Sequence, residues 1–153
     1  MNIFILDKSP ELAAQYQCDK HVVKMVLETA QILSTVASVN GLKTQYKPTH
    51  KNHPCTLWAG KSKANTEWLI QHGIGLAKEY TKRYGKIHKS SLVIADLARL
   101  QLASKLPDLG LTPFAQAMPD TYRDTDPVVA YRNYYKGDKA GIATWKTTAP
   151  DWW

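Results

Sequence analysis

Apolar residues recur at three- and four-residue intervals over much of the chain, the period of a helix with one buried face. Ser9-Pro10-Glu11 has the form of a helix start: a capping hydroxyl, a proline suited to the first position and a carboxylate at the positive end of the dipole. From there Leu12, Tyr16, Val22, Val23, Val26, Leu27, Ala30 and Leu33 mark a stripe that runs to about Val39 and stops at Asn40-Gly41, with a possible break near Cys18-Asp19. Pro54 opens a second helix, marked by Leu57, Trp58, Trp68, Leu69, Gly75, Leu76, Tyr80 and Tyr84 and ended by Gly85. A third starts at Ser90/Ser91 and runs through Leu102, with Leu92, Val93, Leu97 and Leu100 as its buried stripe. Pro107–Gly110 reads as a turn, Thr112-Pro113 as the start of a short helix ending before Pro119, and Asp126-Pro127 as the start of a last helix turning Val128, Tyr131, Tyr134 and Tyr135 inward or half inward. Met1–Asp7 reads as a short extended segment, and strand signals are otherwise nearly absent. The fold class is therefore all-α: a compact helical bundle, residues 1–153 forming a single domain.

Composition agrees with a globular chain, 44% apolar and 22% charged. Repeats and low-complexity tracts are absent, and no apolar run approaches the ~20 residues of a membrane span. MNIFILDKSP lacks the basic and apolar regions of a secretory signal, so Cys18 and Cys55 are expected as reduced thiols in the cytoplasm. Charge narrows the function classes further. Twenty Lys and Arg against thirteen Asp and Glu give +7, a balance that favours polyanionic partners. Sixteen of the twenty cations are Lys, which suits contact with a phosphate backbone better than forked readout of bases.

Three clusters could carry chemistry. Lys20, Lys24, Glu28 and Gln31, with His21 beside them, share one face of the long helix. They form either a solvated face with i,i+4 pairs, each worth about 0.3–0.5 kcal/mol, or a row of cation, carboxylate and amide lining a cleft. YKPTHKNHPCTLW, Tyr46–Trp58, crowds His50, Asn52 and His53 before a helix start. His50, His53 and Cys55 lack a standard zinc spacing, so no metal or other cofactor is expected; His53 and Asn52 are read as hydrogen-bonding groups. KEYTKRYGKIHK, Lys78–Lys89, interleaves five cations with Tyr80 and Tyr84, a mixture suited to phosphate contact and base stacking. Within it Arg83 is a candidate substrate contact, or simply the i,i+4 partner of Glu79.

Read together, KMVLETAQIL (Lys24–Leu33) and NHPCTLWAG (Asn52–Gly60) resemble the pyrimidine-dimer DNA glycosylases, the endonuclease V family, and EYTKRYG resembles that family's third block. CDKHVVKM, YKPTHKNHPC and TPFAQAMP are similar to small phage proteins of the same grouping. The resemblance covers about half the chain through His21, Lys24, Glu28, Gln31, Asn52, His53, Pro54 and Trp58. It implies a compact all-α enzyme that excises bases from damaged DNA. In that chemistry an N-terminal α-amine attacks the sugar C1′ and forms an imine, a helix Glu assists, and basic residues hold a kinked duplex with a flipped base. Two features depart from the family pattern. Asn2 is bulky where the family exposes a small second residue by losing its Met, and Val22 and Val23 stand near the expected carboxylate position, which leaves Glu28 as the matching acid.

Two functions follow as expectations. The first is a DNA N-glycosylase and abasic lyase. Glu28 is its carboxylate, Lys24 or the Met1 α-amine its amine, and His53 and His21 orient phosphate or leaving group. Trp58 stacks on the base, and Lys20, Gln31, His50, Asn52 and Arg83 complete the substrate contacts. The second is a phage protein of the host-cell cytoplasm that binds and sequesters a small nucleotide without cleaving it.

Overall fold

The computed structural model describes residues 1–153, and it is all-helical. In chain order the helices are α1 (Pro10–Tyr16), α2 (Asp19–Val39), α3 (Pro54–Ala59), α4 (Lys63–Tyr84), α5 (Lys89–Arg99) and α6 (Pro127–Gly137), with single 3₁₀ turns at Leu102–Lys105 and Asp120–Tyr122. α2 and α4 form the centre: α1 packs on α4, α5 lies across both, and α3 closes against α2. One cluster of buried apolar residues runs from Ile3 to Tyr135 and joins the N-terminal segment, all six helices and the first 3₁₀ turn.

Local chemistry accounts for most boundaries. The Ser9 hydroxyl accepts from Leu12 N–H and Asp126 accepts from Val128 N–H, caps of the kind that stabilise a helix by about 0.5–2 kcal/mol. The break at Cys18 is real, because Cys18 is extended and caps α2. Gly41 and Gly85, at φ +82 and +67, occupy the left-handed turns that follow α2 and α4. By length and composition α2 could cross a membrane, but most of it is buried inside the bundle against α4 and α5.

Four expectations need correction. The helix predicted from Pro54 to Gly85 is two helices, broken at Gly60–Ser62, where the Ser62 hydroxyl caps α4 through Asn65 N–H. The Asn65 carboxamide spans the joint, donating to Trp58 O and accepting from Thr112 N–H. α5 ends at Arg99 rather than Leu102; Leu92 and Leu100 are exposed, and Ile94 takes the buried place beside Val93 and Leu97. Leu12 on α1 and Val23 and Leu27 on α2 are likewise exposed, so the buried stripes of both helices are narrower than the periodicity implied. No helix forms between Thr112 and Pro119. The Thr112 and Ala117 N–H groups donate to Asn65 and Tyr131 instead of to their own turn, and the segment lies over the core as an irregular strap.

Met1–Leu6 pairs with no strand; it is an irregular segment, half-buried at Met1 and buried from Asn2 to Leu6. Phe4 adopts φ +62, an unusual conformation for a bulky residue, and stacks its ring on His21 at 4.2 Å between centroids. α6 holds this segment down. Arg132 donates to Leu6 O (2.9 Å) and pairs with Asp7 (3.3 Å).

Candidate active site

The N-terminal segment lies against α2 so that the Met1 α-amine is 3.1 Å from Glu28 Oε1. Both side chains are almost wholly excluded from solvent. Lys24, one turn earlier on α2, places Nζ 3.5 Å from the other carboxylate oxygen, Oε2, which has no hydrogen-bond partner of its own. Lys24 is 66% exposed, a solvated cation at the rim, whereas the Met1 side chain is packed away from solvent. The carboxylate thus stands between two amine groups, with one oxygen that no hydrogen bond occupies.

Asn2 fixes the register of the segment. Its Oδ1 accepts from Ile3 N–H (2.8 Å) and the Tyr131 hydroxyl (2.8 Å), and its Nδ2 donates to Ala117 O (2.8 Å). The Cys55 thiol also points at Oδ1 from 3.9 Å, and burial pushes its pKa up to about 12, so it stays a protonated thiol.

One imidazole, His53, lies within electrostatic reach of the pair, and a second, His21, stands two turns before Glu28 on α2. His53 caps α3 by accepting the Cys55 N–H on Nδ1, which leaves Nε2 to carry its proton. Partial burial, the Met1 ammonium and His50 all lower its pKa, and Glu28 opposes them, so His53 is a neutral donor beside the carboxylate. His21 is buried with Nδ1 2.6 Å from the Tyr135 hydroxyl. Burial, then Lys139 and Lys24, lower its pKa to about 3. At neutral pH the site therefore presents one buried carboxylate, the Met1 α-amine and the uncharged imidazole of His53, with Lys24 at the rim and a neutral His21 further along α2.

An α-amine beside a carboxylate can support imine chemistry on a sugar, the carboxylate taking the proton the amine gives up. A family model described as pyrimidine dimer DNA glycosylase matches residues 1–92, three-fifths of the chain, and both members of the pair lie inside it. The chain belongs to that family. Comparison with curated proteins and with solved structures found no match.

Within this glycosylase family member the other expected site residues divide. Gln31, on the same helix as Glu28, lines an open groove of about 600 Å³ together with Leu27, Tyr46, Lys47 and Thr49. His50 is exposed, has φ +49 and sits edge-on to His53 at 6.4 Å, so it borders the site. Lys20 is exposed at the start of α2. Asn52 lines a smaller cleft of about 150 Å³ with Asn40, Lys51 and Thr56. No three His, Cys, Asp or Glu residues gather as a metal site would require.

Two residues are not brought to the pair. Trp58 is buried, donates to Thr112 O and packs against Trp68 and Phe114, so its ring belongs to the core and cannot stack on a base. Arg83 is buried, and its guanidinium is committed to Glu79, Asp19, Gln17 O and Gln15 O; it ties α4 to the α1–α2 junction. Sequence reasoning missed Asn2, Tyr131, Tyr135 and Lys139 as site groups. The inward pattern of α6 marks both tyrosines, but nothing in its spacing says that they end at Asn2 and His21.

Proposed function

We propose that the protein is a DNA base-excision glycosylase and abasic lyase that uses the Met1 α-amine as nucleophile and Glu28 as proton acceptor. The supporting observation is the 3.1 Å pair between that amine and a buried carboxylate, in a chain of the pyrimidine dimer DNA glycosylase family.

In this reading a flipped nucleotide brings its C1′ to the amine. The amine nitrogen bonds to C1′, the base departs with the glycosidic electron pair and takes up a proton, and Glu28 accepts the proton lost from nitrogen. The C1′–O4′ bond then breaks, O4′ takes the proton held by Glu28, and the nitrogen at C1′ is left as an iminium adduct. His53 donates a hydrogen bond from Nε2 to the leaving group or an adjacent phosphate. Lys24 and the exposed lysines neutralise backbone charge, consistent with a net charge of +7. Two free, buried cysteines suit a reducing cytoplasm.

The test is borohydride trapping on duplexes carrying a pyrimidine dimer or an abasic site, after intact mass has established a free amine on Met1. The wild-type protein forms a covalent adduct that maps to Met1, and Glu28→Gln forms none. Absence of adduct and of base release on both duplexes would overturn the reading, and an intact small nucleotide recovered from the heated protein would put sequestration in its place.

A further inference from the structure

The reactive end of the chain is held from a distance. Asn2, next to Met1, has both ends of its carboxamide bonded in the interior. Its partner Tyr131 lies 129 residues away on α6, beyond the residues that the family model covers. The Tyr131 ring is wholly buried, and its hydroxyl is the node of a closed set of bonds. It lies 2.8 Å from Asn2 Oδ1 and 3.0 Å from Ala115 O, and it accepts from Ala117 N–H at 3.3 Å. Ala117 O in turn accepts from Asn2 Nδ2. A donor on α6 and an acceptor on the strap thus grip one side chain, and the peptide that follows Met1 has no freedom to slide along α2.

We infer that Tyr131 is a positioning residue: through Asn2 it holds the Met1 α-amine opposite Glu28. The inference rests on the proposed function for its catalytic consequence, but the placement it describes has a readout of its own. The strap at Ala115–Ala117 and helix α6, neither of them in the matched portion, are then working parts of the site. Asn2 acquires a role as well. A small second residue could not reach Tyr131 and Ala117 together, so the bulk that departs from the family pattern is what anchors the segment.

Three variants and a control test this. Tyr131→Phe removes only the hydroxyl. Asn2→Leu keeps the side-chain size, and with it retention of Met1, but has no polar atoms. The third is the double variant. Thr66→Val, which loses a buried hydroxyl bonded to Ala59 O at 2.7 Å, controls for a general loss of stability. Single-turnover adduct formation on an abasic duplex is expected to slow by about tenfold or more in each single variant, since small displacements of reacting atoms are costly. The half-saturating DNA concentration stays unchanged, and the double variant is no slower than the slower single one, because both act through one bond. Reductive methylation of Met1 by formaldehyde and cyanoborohydride, read by peptide mass, is faster in Tyr131→Phe than in wild type, as the amine leaves its buried partner. Thr66→Val changes neither rate. Wild-type adduct rates in Tyr131→Phe, or an equal loss in Thr66→Val, would overturn the inference while leaving the proposed function standing. If the wild-type protein traps no DNA, the proposed function falls, and equal methylation of Met1 in wild type and Tyr131→Phe would overturn the positioning role as well.

Discussion

The Tyr135 hydroxyl lies 2.6 Å from Nδ1 of His21 and also accepts the Cys18 N–H at 3.2 Å. One phenol therefore orients a site imidazole and satisfies the residue that caps α2, tying the last helix to the start of the long one. Tyr135→Phe leaves both buried partners unpaired. We expect a loss of about 1–3 kcal/mol in urea unfolding, the usual cost of a stranded buried polar group. A midpoint equal to wild type would show that the bonds carry no net stability.

Lys24 and Met1 compete for the role of amine, and the structure separates them by burial. Lys24→Met is expected to keep an adduct that maps to Met1. It should weaken duplex binding and flatten the dependence of log K on log salt by about 0.9 if Lys24 meets one phosphate. An adduct lost in Lys24→Met but retained when Met1 is acetylated would reverse the assignment.

Arg83 predicts a stability effect instead of a catalytic one. Its guanidinium is fully buried between Glu79 and Asp19. Arg83→Met strands those carboxylates and two backbone carbonyls, and we expect unfolding free energy to fall by about 3–5 kcal/mol. The affinity of the folded protein for DNA should hardly change, by gel shift at fixed salt. A selective loss of affinity with normal stability would return Arg83 to the binding surface.

Stability should fall in mild acid. His72 is completely buried, donating from Nδ1 to Pro10 O and accepting from Gln17 on Nε2, and burial lowers its pKa from 6.5 to about 4. His21 is lowered to about 3, also chiefly by burial. Both groups bind protons more readily unfolded than folded, so the unfolded state gains protons first as pH drops. Their contribution is whole above about pH 6.5 and is lost progressively down to about pH 4 for His72 and about pH 3 for His21. Thermal unfolding from pH 7.5 to 4.5 should show a falling midpoint, with a shallower fall in His72→Gln. A midpoint flat across that range would contradict the burial of neutral imidazoles.

Much of this protein was legible before any coordinates. Helix starts at Ser9-Pro10, Pro54 and Asp126-Pro127 and stops at Asn40-Gly41 and Gly85 are local chemistry, so they survive in the structure almost unchanged. The shared face of Lys24 and Glu28 is a consequence of helical period alone. Pattern failed where a distant side chain takes over backbone groups. The strap after Thr112 is not a helix because Asn65 and Tyr131 claim its N–H groups, and Trp58 is a core ring because Trp68 and Phe114 surround it. Linear order says nothing of which N-terminal atom meets Glu28, since that depends on the seat of Asn2, a residue held from the far end of the chain. Local propensity thus decided the helices and the face that bears the acid. Only packing between residues more than a hundred positions apart decided that a backbone amine stands opposite it.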